Sequence, residues 1–388
     1  MFTSLRVAVL CIVIAFVGTF AFRIQFPVIA FYSRDVLKLS ALDIGLLMSV
    51  FMIGRATSSI AVGRLYYRKT IARMLPPICF GINAVIAFLY LYAKSFPLLL
   101  TLRTTQGILN GLSWVTIQVA LGIVTHPRIR ATVYSIYFAI GSLGISVANY
   151  VYSAISTIFV DPRTVALSLS AIGFAVALIL SAFIPYAEPG RRRGAEARRA
   201  RSLTLSLALF TFAVALALSF PSSDLIYIYI REVFGASRSV TALIIAIATA
   251  IATAIGFTLS IVADRLSERI AMLCTVGMLV TASCLACIEN LMTLAVAVIL
   301  LLSSSRTCIS VSRRIAVTRA GPEGVGYINA ASNIGNVIGS ALTGALYDAL
   351  AQYPMAIGFV AISTPLLALY LPVAIIALVT SIALIRRL

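Results

Sequence analysis

The sequence predicts an all-α integral membrane protein whose twelve transmembrane helices form two pseudo-symmetric bundles of six. Three observations predict this fold class: a very low share of charged residues, long apolar runs along the whole chain, and a repeat of similar segments 197 residues apart. The first two place the chain in lipid, and the third divides it into halves.

Composition excludes a soluble globular protein. The chain has 388 residues, of which 61% are hydrophobic and only 11% are charged, whereas soluble domains carry about 25% charged residues. The apolar runs continue from Val7 to Ile385 and approach the ~20 residues that cross a bilayer. They do not alternate between apolar and polar residues as barrel strands do, so helices are predicted.

The boundaries of these runs predict twelve spans, the first of them a retained span rather than a signal peptide. They cover residues 7–31, 42–62, 74–93, 97–121, 132–156, 164–185, 203–230, 239–262, 271–287, 291–311, 324–346 and 355–385.

The Lys and Arg residues that give the net charge of +18 are distributed unequally between the two predicted sides of the membrane. With the N-terminus inside, the cytoplasmic ends and loops hold 20 Lys and Arg residues, and the outer loops hold six. Positive charge accumulates on the cytoplasmic side of membrane proteins, so we expect a multi-pass protein of the plasma membrane with both termini in the cytoplasm. Contact with anionic lipid accounts for the excess of basic over acidic residues, and we expect no nucleic-acid partner.

Similar segments recur at one offset. Residues 32–40 read YSRDVLKLS and residues 229–237 read YIREVFGAS, while residues 62–69 and 259–269 form a second pair at the same spacing of 197 residues. Two pairs with one offset indicate two parallel halves related by an axis along the membrane normal.

An arginine-rich polar segment separates these halves. We predict an N-terminal six-helix bundle over residues 1–187, a basic cytoplasmic linker over 188–202, and a C-terminal six-helix bundle over 203–388.

The chain lacks the residues that enzymes and metal sites need. Its single histidine, His126, lies in a predicted cytoplasmic loop, and no P-loop sequence is present. All six cysteines fall within predicted spans, where we interpret them as packing residues. We therefore predict no enzyme activity, no cofactor and no metal site, and we expect a monomer.

Two motifs carry a family resemblance. Span four contains RTTQGILNG, in which Arg103, Gln106, Gly107 and Gly111 match an R-x-x-Q-G-x-x-x-G pattern. With its twelve-span architecture, the chain resembles the major facilitator superfamily of secondary transporters along its whole length. The resemblance implies a small-molecule solute that crosses the membrane by alternating access.

The second motif is the G-x-L-x-D-R-x-G-R-K sequence that follows span two of this family and its repeat. Its core matches Ala263, Asp264 and Arg265, whereas Tyr67 replaces the aspartate in the first half. The resemblance implies that Asp264 and Arg265 belong to a charge-relay latch that holds one conformation.

In that family, spans one, four, seven and ten line the central cavity. The resemblance therefore implies substrate contact for Arg23, Arg103 and Arg306, which lie on three of these spans. For Arg103, a role common to the whole family is the alternative. Arg55 lies on span two, where a gating or packing contact is expected. Asp224, the one plausible acid within the spans, is interpreted as an outer-gate partner of Arg23 or Arg103, or as a site of proton coupling.

Arginine matches carboxylate and phosphate groups, so the excess of buried cations favours a small organic anion, coupled to a proton or a counter-substrate. A multidrug exporter of the same fold is the alternative, in which Asp224 would bind lipophilic cations. The absence of a G-P-x-x-G-G sequence at the end of span five weakens this alternative. A non-transporting receptor or an intramembrane enzyme is the remote third.

Overall fold

The structure, a computed structural model, describes residues 2–66, 68–126, 130–185, 197–265, 267–315, 321–353 and 355–386. These residues form helices almost throughout, together with one short β-hairpin. The first half contains α1 (Phe2–Arg23), α2 (Gln25–Asp35), α3 (Ala41–Leu65), α4 (Lys69–Leu89), a 3₁₀ turn (Tyr90–Tyr92), α5 (Phe96–Val124), α6 (Arg130–Ile158) and α7 (Pro162–Ala182). The second half contains α8 (Ala197–Ser222), α9 (Leu225–Phe234), α10 (Arg238–Arg265), α11 (Glu268–Ala286), α12 (Leu291–Ile315), α13 (Gly321–Leu350), β1 (Met355–Ile357), β2 (Val360–Ile362) and α14 (Thr364–Ile385).

Eleven stretches of the described residues are long and apolar enough to cross a membrane. The predicted span 324–346 lies in α13 and supplies the twelfth, which is more polar because it contains Asn329, Asn333 and Asn336. At ~1.5 Å per residue its 30 residues exceed the thickness of the hydrocarbon core. The predicted twelve-span, all-helical fold class is confirmed.

The prediction for the twelfth span is wrong at its start. We predicted a helix from residue 355, but Met355–Ile357 and Val360–Ile362 pair as an antiparallel hairpin. Gly358 has a φ of +62° in the two-residue turn, a conformation that suits glycine and reverses the chain. The span itself begins at Thr364, with a proline in the first turn of its helix.

The chain divides into two compact units. Unit 1 comprises Met1–Tyr32, Val50–Arg193 and Arg238–Ala246, and unit 2 comprises Ser33–Ser49, Gly194–Ser237 and Ile247–Leu388. The predicted linker over 188–202 lies outside the described residues as far as residue 196.

Each unit repeats one scheme of helix neighbours. In unit 1, α1 packs against α5, α6 and α7, and α4 packs against α5 and α7. In unit 2, α8 packs against α12, α13 and α14, and α11 packs against α12 and α14. These five pairs correspond one to one when spans one to six are matched with spans seven to twelve. The repeat seen in the sequence is therefore a repeat of helix packing.

Glycine allows close helix packing in unit 2. A Cβ at Gly335 of α13 would lie 2.6 Å from the carbonyl oxygen of Phe212 in α8. Gly339, one turn later, faces Ser219 of the same helix at a similarly short distance. Small residues at this spacing allow two membrane helices to approach closely, which van der Waals packing in lipid requires.

Candidate functional site

Span one is interrupted near its middle. α1 ends at Arg23 and α2 begins at Gln25, with Ile24 between them. Pro27 has no N–H to donate to the carbonyl four residues earlier, which is that of Arg23, and its ring crowds that carbonyl. The proline therefore accounts for the break, and the break puts Arg23 at a helix end.

Span seven has a matching interruption. α8 ends at Ser222, and α9 begins at Leu225. Pro221 cannot donate to the carbonyl of Ala217, and the hydroxyl of Tyr370 in α14 donates to that oxygen instead, at 3.2 Å. The two breaks fall within three residues of equivalence under the 197-residue repeat. Interrupted helices at corresponding points of two repeats are a recurrent feature of transporter binding sites.

Two guanidinium groups of unit 1 share one aromatic ring at the first break. The Cζ of Arg23 lies 4.3 Å from the ring centroid of Phe26, and the Cζ of Arg103 lies 4.8 Å from the same centroid. Arg103 and Phe26 are completely buried, and Arg23 is partly buried. Cation–π contacts of this kind strengthen when water is excluded. The structure thus brings together two of the three predicted substrate residues and concentrates positive charge there.

A series of buried hydrogen bonds also holds the residues around this break. The hydroxyl of Tyr90 donates to Oε1 of Gln106 at 2.7 Å, and Nε2 of Gln106 donates to Oε1 of Gln25 at 2.9 Å. Nε2 of Gln25 then donates to Ser170, whose hydroxyl donates to the carbonyl of Ala21, each at 2.6 Å. This series of hydrogen bonds links Gln25, the first residue of α2, to α5 and α7 and rigidifies the break.

Sequence reasoning missed Gln25, Tyr90 and Ser170. A glutamine in the middle of an apolar span is a usable signal, because a polar side chain at that depth requires a hydrogen-bonding partner.

In unit 2, Arg306 is held by the backbone. Its Nη1 donates to the carbonyl of Thr249 at 3.1 Å, which joins α12 to α10. A Cβ at Gly256 would lie 2.8 Å from the Cβ of Arg306, so the two helices are in close contact here. This contact orients the partly buried guanidinium group of Arg306.

Asp224 occupies the break in span seven. It is completely buried and stands at the N-cap position of α9, where its side chain makes no capping hydrogen bond. The neighbouring Ser223 hydroxyl accepts from the N–H of Leu225 at 3.3 Å. A buried carboxylate at the start of a helix is favoured by the helix dipole.

A second group of charged residues in unit 2 was not predicted. Arg34 makes a bidentate ion pair with Glu232, with its Nε 2.6 Å from Oε1 and its Nη2 3.0 Å from Oε2. Arg231 contacts both carboxylate oxygens of Asp35 at 2.5 and 2.6 Å. Arg34 and Asp35 are equivalent to Arg231 and Glu232 under the 197-residue repeat. Each arginine therefore pairs with the acid of the other repeat.

Two consecutive residues of α13, Tyr347 and Asp348, make further hydrogen bonds beside this cluster. The Tyr347 hydroxyl donates to Oε2 of Glu232 at 2.8 Å. The carboxylate of Asp348 accepts from the backbone N–H groups of Ala41 and Leu42 at the start of α3, at 3.0 and 2.7 Å. An acid at a helix N-terminus is stabilised by the free N–H groups and the helix dipole.

Comparison with known proteins decides the family. The family model described as Major Facilitator Superfamily matches residues 10–303. The chain belongs to the major facilitator superfamily. Membership of this family indicates a transporter of a small-molecule solute.

The fold of this major facilitator chain is shared with solved transporter structures. A single-site mutant of the nucleoside transporter NupG aligns with a TM-score of 0.73 and 13% identity, over 98% of this chain and 99% of that chain. A bacterial homologue of the human lysosomal transporter Spinster aligns with a TM-score of 0.66 and 16% identity, over 98% and 94%. Identities this low show the fold alone. None of the curated proteins compared with the chain matches it.

The span-four motif of this major facilitator chain is explained by packing as well as charge. A Cβ at Gly107 would overlap the carbonyl of Phe51, and one at Gly111 would lie 2.5 Å from the carbonyl of Arg55. The glycines therefore let α5 approach α3 closely. The side chain of Arg55 is partly buried, and its carbonyl accepts a 2.6 Å hydrogen bond from Ser59.

Of the predicted latch, the structure describes only the backbone. Asp264 and Arg265 close α10, and their side chains lie outside the described residues.

Proposed function

We propose that this protein is a secondary transporter that moves a small organic anion by alternating access, coupled to a proton or a counter-substrate. The observation that carries the proposal is the pair of guanidinium groups, Arg23 and Arg103, against the ring of Phe26 at a break in span one. A carboxylate or phosphate group makes its strongest hydrogen bonds with arginine.

Arg306 is the third proposed anion contact. The carbonyl of Thr249 orients its guanidinium, whose planar fork of N–H donors suits a carboxylate or phosphate. Asp224 is proposed as the coupling acid, because a carboxylate buried at a helix break changes its interactions when it takes up a proton. Arg55, Asp264 and Arg265 are proposed to act in gating.

The remaining features follow the charge distribution and the repeat. We propose a monomer in the plasma membrane with both termini in the cytoplasm. Its two six-helix bundles would comprise residues 1–187 and 203–388, joined by the basic segment 188–202, and lipid would be its other partner.

The proposal is tested by a thermal-shift screen of the purified protein, because a ligand of the native state raises its apparent stability. The probes are succinate, citrate, glucose 6-phosphate, uridine and tetraphenylphosphonium. Uridine is included because the similar structures include a nucleoside transporter. We expect stabilisation by a carboxylate or phosphate ester, and stabilisation by uridine alone would contradict an anion site.

Substitution of the arginines makes the screen specific. Arg23→Gln should weaken anion binding about tenfold or more, since a hydrogen bond to a charged group contributes about 1.5–3 kcal/mol. Arg238→Gln is the matched control: its guanidinium also lies over an aromatic ring of α2, 5.6 Å from the ring centroid of Phe31, but the residue is exposed at the start of α10. Equal losses in both variants would refute a specific role for Arg23.

A multidrug exporter is the second candidate, favoured by the buried carboxylate of Asp224. It predicts that tetraphenylphosphonium stabilises the protein and that Asp224→Asn removes this effect while Arg23→Gln does not. The anion transporter instead predicts that an anion stabilises the protein and that Arg23→Gln removes this effect.

A further inference from the structure

The hairpin between α13 and α14 is an apolar surface outside the helices. Its two-residue turn, Gly358 and Phe359, carries the aromatic ring at the tip, and Phe359 is fully exposed. Tyr353 and Ile357 are exposed by about two thirds, at 66% and 65%. The chain has no Asp, Glu, Lys or Arg between Asp348 and Arg386. An uncharged loop with this much exposed apolar surface is poorly suited to bulk water.

The hairpin is attached where spans end. The N–H of Glu289 donates to the carbonyl of Ala361 at 2.9 Å, and the N–H of Ser363 donates to the carbonyl of Cys287 at 2.8 Å. The segment that it contacts joins α11 to α12, so the ends of α11, α12, α13 and α14 all lie within a few residues of the hairpin or of its partner segment. This is the level at which membrane helices leave the hydrocarbon core.

The backbone of the hairpin suits that level. The backbones of β1 and β2 pair with each other over three residue pairs, and Ile362 of β2 also forms a β-bridge with Ile288. Non-helical backbone is costly near lipid unless its N–H and C=O groups are paired. Aromatic residues are favoured at the boundary between headgroups and acyl chains.

We propose that this hairpin is a membrane-interface anchor, in which Tyr353, Ile357 and Phe359 insert among the lipid headgroups and the first acyl carbons. The occupant of the exposed apolar surface is lipid. Exposed apolar side chains bury ~5–10 Å into this boundary when they anchor a protein segment. The anchor fixes the end of α13 and the start of α14 at one depth.

Tryptophan fluorescence in bilayers tests the anchor in the full-length protein. Trp114 is the only tryptophan, so a Trp114→Phe background with Phe359→Trp places one reporter at the tip. The protein is reconstituted into phosphatidylcholine vesicles brominated at acyl carbons 6 and 7 or at carbons 11 and 12, with aqueous iodide as the third quencher. Lys94→Trp in the same background is the control, at an exposed charged position between the 3₁₀ turn and α5.

The anchor predicts that the shallow bromines quench the Phe359→Trp emission more strongly than the deep ones, and that its maximum is blue-shifted relative to Lys94→Trp. Strong iodide quenching without bromine quenching would mean a hairpin in water and would overturn the proposal. Protection from every quencher would mean that a second protein surface covers the tip, which overturns it as well. Ile357→Trp provides a second reporter if Phe359→Trp does not fold.

Discussion

The bidentate pair between Arg34 and Glu232 should be energetically coupled, and a double-mutant cycle measures this directly. The perturbations are Arg34→Gln, Glu232→Gln and the double variant. The two N–O distances are 2.6 and 3.0 Å, and the side chains are 28% and 30% exposed. Charged hydrogen bonds contribute about 1.5–3 kcal/mol and exposed ion pairs about 0.2–1 kcal/mol, so this partly shielded pair should show a coupling of about 1–2 kcal/mol.

The assay is equilibrium unfolding of the full-length protein in mixed micelles of dodecyl maltoside and SDS. The pair between Arg314 and Glu268 is the control, because its N–O distance is 3.7 Å and both side chains are again partly exposed, so its coupling should be below about 0.5 kcal/mol. The charge-exchanged variant, Arg34→Glu with Glu232→Arg, should recover part of the loss. Additive single effects, within ~0.3–0.5 kcal/mol, would refute the reasoning.

Three further predictions concern packing, a freed carbonyl and a helix cap. Gly107→Ala should destabilise the fold by about 1–3 kcal/mol in the same unfolding assay, because its methyl group meets backbone, whereas Gly277→Ala, with open space around it, should not. Tyr370→Phe should cost about 0.5–1.5 kcal/mol, since the proline-freed carbonyl of span seven loses its donor; an unchanged stability would contradict this. Hydrogen bonding from Thr164 lowers the pKa of Asp161, the N-cap of α7. The ionised cap therefore stabilises the fold above its unfolded-state pKa, and this stabilisation should be lost as the pH falls through the lower folded-state pKa. Asp161→Asn should remove that acid-side dependence from a stability profile measured against pH.

Much of the fold was predictable because lipid imposes a simple rule on sequence. Apolar runs located the spans, and the 197-residue offset predicted the repeat that appears as matched helix neighbours. The twelfth span was misjudged because the hairpin residues are as apolar as the helix that follows. Hydropathy does not separate the two, although Gly358 marks the turn.

The breaks in spans one and seven were harder to predict. Pro27 and Pro221 each remove a helical hydrogen bond, but proline alone does not identify a break, because Pro372 lies inside α14 without ending it. The ion-pair cluster lies within the repeated segments, but its pairing was not predicted. Residues 34 and 35 and their equivalents were recognised as similar in sequence, but pairing across 197 residues depends on tertiary packing that no local pattern encodes.

The central claim is that the arginines at the break in span one bind the transported anion. The most direct test is uptake by proteoliposomes without ATP, using the carboxylate or phosphate ester that gives the largest thermal shift. Arg23→Gln and Arg103→Gln should each reduce uptake about tenfold or more, by the loss of a charged hydrogen bond. Arg238→Gln should retain it at equal protein incorporation. Uptake that is unchanged in both break variants, or lost equally in the control, would contradict the claim.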